Sequence, residues 1–336
     1  MSELSNKKRL HVSAGLMPSM SRLGVLALIV VIGYIIDPVN FLSSGNINNN
    51  IANASILIIL GIGQTIAIIT NGPDLSAGSI MTICAVIAAV LMKNYEVNFI
   101  IAIIVALGIG CILGALNGYM IAYVGIPSFV STYGLLWVLF GFAYVILSGY
   151  VLYDFAPAFR FIGNGKLFGF LQMPIVIMLF LVVLGVLLLR KTNFGRKCYS
   201  VGSNETCATM SGINSKTVVL RAFILSGLLA ACAGVLYVGR FNAVQADIGN
   251  PYLLPVLATV FMGGTSPTGG EGGIFGTIFG ALVITIVSNM INLLAVPSEY
   301  RDGIIGVLII VTVLLDSVVK NGVFRRRTSA KQSSAA

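Results

Sequence analysis

Charge is scarce in this sequence. Only 9% of its 336 residues are Asp, Glu, Lys or Arg, where soluble domains carry about 25%, so a large aqueous surface is excluded. Histidine is nearly absent: the one copy, His11, lies in a basic leader, where a solvated side chain is the simplest reading. A hydrolase needs a nucleophile with an aligned base, and this chain offers little to build one. No G-x-x-x-x-G-K-[ST] phosphate loop occurs; the glycine-rich "MGGTSPTGGEGG" has no lysine. The five cysteines (Cys84, Cys111, Cys198, Cys207, Cys232) lack ligand-like spacing, so they read as packing residues rather than a disulfide framework or metal site. Catalysis, a bound cofactor and a soluble second domain are therefore not expected.

Apolar sequence is what the chain has in abundance. Hydrophobic residues make up 57% of it, and its mean hydropathy is +0.98. A membrane span needs about 20 mostly apolar residues, and ten candidates follow one another at 23–36, 52–70, 76–92, 98–124, 127–147, 172–190, 217–239, 251–263, 273–295 and 303–319. The expected fold is an all-α polytopic membrane protein, a permease domain over 23–319 between a basic leader (1–22) and a basic tail (320–336). The formal charge of +9 does not point to nucleic acid, because its distribution follows the spans. Fifteen of the 20 Lys and Arg lie in the leader, the tail and the loop around 191–216. Short basic loops stay cytoplasmic, and ten spans put those three regions on one side. The other five (Lys93, Arg160, Lys166, Arg240, Arg301) fall in opposite-side loops beside Asp37, Glu96, Asp154, Asp247, Glu299 and Asp302, which balance them. The leader has no convincing cleavage site and reads as preceding a retained first helix.

Two breaks interrupt the apolar pattern. In "NGPDLSAGSI" (71–80) an acid and a helix breaker stand where a charge at a helix centre would cost about 3 kcal/mol. Both are accommodated if one helix ends near Asn71 and the next starts at Leu75 or Ser76 with Asp74 as its cap. An interrupted helix facing an aqueous path is the other reading, and both hold if the turn borders that path. A second break spans Gly263 to Gly273. Glycines four apart (Gly110, Gly114 and Gly118; Gly276 and Gly280) form small-residue faces for close helix packing, within one subunit or between two. The loop after the sixth span holds a candidate short helix: Ser203 or Asn204 can cap it, Glu205 suits its first turn, and Gly212 can end it. Such a helix is either something a partner can grip or part of an ordinary solvated loop.

Four segments in order, "NGPDLSAGS", "IPSFVSTYGLLWVLFG", "TNFGRKCYSVGSNETCATMSGI" and "MGGTSPTGGEGGIFGTIFGALVI", resemble motifs of the membrane permeases of bacterial ATP-binding-cassette importers of the ribose and monosaccharide type. The resemblance runs from about Phe41 to Asp316. It departs at Asn71-Gly72-Pro73, where the family has Gly-Gly-Ile, and at Cys207-Ala208, where it has Ala-Ala. It implies an inner-membrane subunit working as a homodimer or with a related permease, with ATPase subunits that use ATP and Mg, and with a periplasmic sugar-binding protein. It also implies that Ser203, Asn204, Glu205, Thr206, Cys207, Ala208 and Gly212 form the coupling helix that meets the ATPase through small residues. Asp74, Ser76, Asn117, Thr132 and Asn289, polar residues at or near spans, are candidates for the path of a small neutral sugar-like solute. A secondary, ion-coupled transporter is the alternative; it needs a proton-relay acid in mid-span, and Asp74, Glu271 and Asp316 read as lying near span ends instead. A structural or signalling membrane protein is a third reading that leaves the two breaks unexplained.

Overall fold

A computed structural model describes residues 17–70, 72–297, 300–311 and 314. The leader before 17, Asn71, Glu299 and, of the tenth expected span, 312, 313 and 315–319 lie outside the described residues. The chain is helical almost throughout: α1 (Met17–Ile36), α2 (Ser44–Thr70), α3 (Ala77–Lys93), α4 (Phe99–Tyr119) with a π-helical end at Met120–Val124, α5 (Ser128–Leu147), α6 (Pro157–Asn164) and α7 (Met173–Lys191). Then come α8 (Asn193–Ser203), α9 (Glu205–Met210), α10 (Ser215–Phe241), a 3-10 turn at Asn250–Tyr252 that runs into α11 (Leu253–Met262), and α12 (Ile274–Leu293). Helix resumes at 300–311. Two short antiparallel pairs are the only strands among the described residues: β1 (Leu152–Tyr153) with β4 (Ala243–Val244), and β2 (Lys166–Leu167) with β3 (Leu171–Gln172).

Six helices are long and apolar enough to cross a membrane, which makes this an all-α membrane protein. Three apolar helices are shorter: Leu26–Ile36, Ala77–Lys93 and Asn250–Met262. Hydropathy does not rank them by burial. The apolar window of α2 is 89% buried while that of Phe99–Val124 is 22% buried, so α2 is the axis of the bundle and α4 faces outward. Around α2 pack α10, α12, α7 and α11; α3 fills the space between α10, α4 and α5.

The glycine faces lie inside the subunit. A Cβ on Gly114 would stand 2.3 Å from the Phe223 carbonyl oxygen and one on Gly110 2.5 Å from that of Gly227, so α4 and α10 touch backbone to backbone. Gly276 meets Gly263, just past α11, and Gly280 meets Thr259 of α11 in the same way. Small residues allow this approach, where dispersion and weak Cα–H···O contacts replace the hydrophobic drive that lipid does not supply.

The expected eighth span departs most from a simple helix. Asn250–Met262 rises only about 20 Å, short of a hydrocarbon core of about 30 Å. Between β4 and this half-helix the chain runs through turns and lies against α3: Gly249 N–H donates to Thr82 Oγ1 at 2.9 Å, and its backbone packs on Gly78. Irregular backbone at membrane depth is tolerated where protein buries it or a wet cavity meets it.

Candidate functional site

Two candidate functional regions stand at opposite ends of α2, whose 27 residues rise about 40 Å. At its Ser44 end a cavity of about 640 Å³ opens between α2, α10, α12 and the half-helix. Six asparagines face it: Asn46, Asn49, Asn50 and Asn53 from α2, with Asn289 and Asn292 from α12. Asn46 and Asn289 exchange amide hydrogen bonds of 3.0 and 2.8 Å across the mouth. Tyr237, Tyr252, Thr285 and Ser288 add hydroxyls, and Arg240 and Arg301 add charge. Arg240 donates from Nε to Asn53 Oδ1 at 3.1 Å and from Nη2 to the Asn49 carbonyl at 3.2 Å. The described lining holds no acid. Leu57 and Ile284 line the cavity's inner part. From Asn46 to Leu57 is about 17 Å along the axis, and from Ile58 to Thr70 every α2 residue is buried.

At the Thr70 end sits the loop that contains the short helices. Thr192 starts α8, its side chain accepting from Gly195 N–H at 3.2 Å. Asn204 starts α9, accepting from Cys207 N–H at 2.9 Å. The helix closes with two nested bonds, Ile213 N–H to Ala208 O and Gly212 N–H to Thr209 O, around Gly212 at φ +81°. That left-handed position suits glycine. Gly202 seats the loop: its Cα packs on the Ile69 carbonyl, and Gly270 N–H donates to the same oxygen at 3.0 Å. The second break, which carries Gly270, is thereby tied to α2 and to α8.

The helix is shorter than the expected Ser203–Gly212, and one of its residues faces the other way. Ala208 is buried, turned into the body of the protein by the helical spacing. Ser203, Asn204, Glu205, Thr206, Cys207 and Gly212 are exposed, as is Met210, which the sequence reading did not single out. Ala208 is thus a packing residue, and the outward surface of α9 is formed around Thr206, Cys207 and Met210.

The path candidates divide. Asp74, Ser76 and Asn117 share one buried network with Ser131 and Ser226. Asp74 Oδ1 accepts from Ser76 N–H (3.0 Å) and Ser76 Oγ (2.6 Å), and Oδ2 accepts from Ser226 Oγ (2.7 Å). Asn117 Nδ2 donates to Ser76 Oγ (2.7 Å), and its Oδ1 accepts from Ser131 Oγ (3.1 Å). With its amide oriented to satisfy both groups, Gln64 brackets the Asp74 backbone at 2.9 and 3.1 Å. Helix α3 begins at Ala77, so Asp74 closes the turn ahead of the helix rather than capping its first residue. Ser226 is eleven residues into α10, about 17 Å from its start. Asp74 therefore lies deep in the bundle, not near a span end as expected, and protein donors occupy both its oxygens. Thr132 donates to Ser128 O within its own helix. Of the five, only Asn289 lines the large cavity.

A family model described as "Branched-chain amino acid transport system / permease component" matches residues 46–313. The chain belongs to this family of transport permeases. The ribose import permease protein RbsC of Escherichia coli is 33% identical over 314 residues, covering 92% of this chain and 97% of its own. RbsC of Bacillus subtilis is 34% identical over 314 residues, 93% and 96% of the two chains. The D-allose transport system permease protein AlsC of Escherichia coli is 32% identical over 295 residues, 88% and 90%. No solved structure matches. This permease is accordingly the membrane subunit of an ATP-binding-cassette importer, and it is a multi-pass protein.

Proposed function

We propose that this permease carries a small sugar-like solute inward across the bacterial inner membrane, with energy supplied by partner ATPase subunits that use ATP and Mg. The arrangement along α2 carries the reading: an amide- and hydroxyl-lined cavity at one end, about 20 Å of closed bundle, and a capped, exposed helix at the other. The named relatives are ribose import and D-allose transport permeases, and amides and hydroxyls suit polyhydroxylated cargo. In this reading ten segments span the membrane, both termini and α9 are cytoplasmic, and the cavity opens to the periplasm toward a cargo-loaded binding protein. A second copy, or a related permease, completes the path. ATP-driven closure of the ATPases moves α9, and with it the Gly202–Ile69–Gly270 junction that seals the inner end of α2.

The depth of Asp74 is the one observation that favours ion coupling. Its oxygens hold three protein donors and it stands away from the large cavity, so a fixed structural role fits it better. Uptake in proteoliposomes separates the readings. ATP hydrolysis stimulated by the loaded binding protein, with uptake indifferent to an imposed proton gradient, is expected; uptake driven by that gradient without ATP would refute the proposal.

A further inference from the structure

The charge in the outer cavity is more than a neutral sugar needs. Among the described residues Arg240 and Arg301 line it and no Asp or Glu does. Half-buried cations are costly to desolvate unless paired. Arg240 gives two of its five N–H donors to Asn53 and Asn49. Arg301 has its Nε buried with no partner among the described residues. Tyr252, on the cavity wall, lies within electrostatic reach of both guanidiniums. Of the nearby acids, Asp247 acts on Tyr237 and is outside the described lining; Asp302 is exposed; Glu299 lies outside the described residues. The half-helix Asn250–Met262 also begins at this cavity, through Pro251 and Tyr252, so the positive end of its dipole adds to the two arginines.

We infer that the cavity takes an anionic polyhydroxylated solute, a sugar acid or sugar phosphate, with its carboxylate or phosphate on Arg240 and Arg301 and its hydroxyls on the asparagine amides. The inference rests on the importer reading and narrows its cargo from neutral to acidic. Guanidinium forks match both anions in a bidentate way that an ammonium does not.

The test reads the cavity's charge without needing the native cargo. Asn50→Cys, in a Cys207→Ser background and in phosphatidylcholine nanodiscs, is labelled with a sulfonate-bearing or an ammonium-bearing thiosulfonate. A small uncharged thiosulfonate corrects for intrinsic reactivity. A cavity of one sign concentrates counter-ions on the order of tenfold or more, so the sulfonate reagent should react at least about tenfold faster. Arg301→Gln and Arg240→Gln should each reduce that preference, and D-gluconate or glucose 6-phosphate should protect the thiol where D-glucose does not. Equal rates for the two reagents, or no protection by either anion, would overturn the inference. Protection by added phosphatidylglycerol but by neither solute would assign the site to a lipid headgroup and overturn the cargo assignment. ATPase stimulation by the loaded binding protein, measured on the same preparation, reports on the importer reading separately. Its absence beside a tenfold preference would remove that reading alone.

Discussion

Gly114→Ala and Gly108→Ala, two substitutions six residues apart on α4, are expected to differ: the first lowers stability and the second does not. At Gly114 the new methyl would stand 2.3 Å from Phe223 O and 3.0 Å from Ile224 Cα. An ordinary carbon–oxygen contact is longer than the first by roughly 1 Å, so α4 and α10 must part or bend, which costs about 1–3 kcal/mol as overpacking. Separation also weakens Cα–H···O contacts worth about 0.5–1 kcal/mol each, and the better helix propensity of alanine returns up to about 1 kcal/mol. The net is a loss of about 1–3 kcal/mol. Gly108 is exposed with nothing within 4 Å of an added Cβ, so only the propensity gain remains and the protein should be unchanged or slightly steadier. Thermal unfolding of the detergent-purified chain, followed by the loss of its monodisperse chromatographic peak, reads both. Equal midpoints for Gly114→Ala and wild type would refute the backbone-to-backbone crossing.

Further outcomes follow from the same geometry. Asp74→Asn keeps its oxygen for the Ser76 N–H and hydroxyl and turns its amide N–H toward the Ser226 hydroxyl oxygen, so it should retain most folded protein in the membrane. Asp74→Leu leaves those buried hydroxyls and the Ser76 N–H without it, at about 1–3 kcal/mol for each group left unpaired, and immunoblots of membranes should show the loss. Gly212→Val forces a β-branched residue to φ +81°, about 1–2 kcal/mol against the helix end; transport-linked ATPase activity should fall while insertion persists. Because Ala208 is buried, Ala208→Trp should unseat α9 and expose the loop to limited proteolysis, whereas Met210→Glu should leave the loop resistant and weaken only capture of the ATPase.

Hydropathy located the helices well, and for a plain reason: a lipid-spanning helix cannot hide its composition. The expected 127–147 and 172–190 lie within a residue of Ser128–Leu147 and Met173–Lys191. Where polar residues serve a cavity, the same signal misleads. The expected 52–70 begins eight residues late, because Ser44–Ile51 is a polar run rich in asparagine that nevertheless completes two turns of α2. Those turns are the cavity wall, so the asparagines at 46, 48, 49, 50 and 53 were the visible clue to it. Arg240 and Arg301 are easily taken for loop charges, since nothing local shows that α10 and the segment after α12 bring them to one space. The expected 251–263 is placed correctly but is a half-helix, a distinction that length alone carries. The short helix α9 was legible through its caps, Asn204 and Gly212; the inward turn of Ala208 was not, because six residues give too little periodicity to fix a face.

The central claim is that α9 meets the ATPase subunit, and native Cys207 tests it most directly. Its thiol is free and exposed on α9, while Asn292 marks the cavity end. In membranes holding the assembled importer, a short bifunctional thiol reagent should join Cys207 to a cysteine in the ATPase groove, with a yield that changes when ATP is added. A Cys207→Ser, Asn292→Cys variant should give no such product. Absence of the Cys207 product from an importer that hydrolyses ATP normally, or equal cross-linking from position 292, would contradict the account.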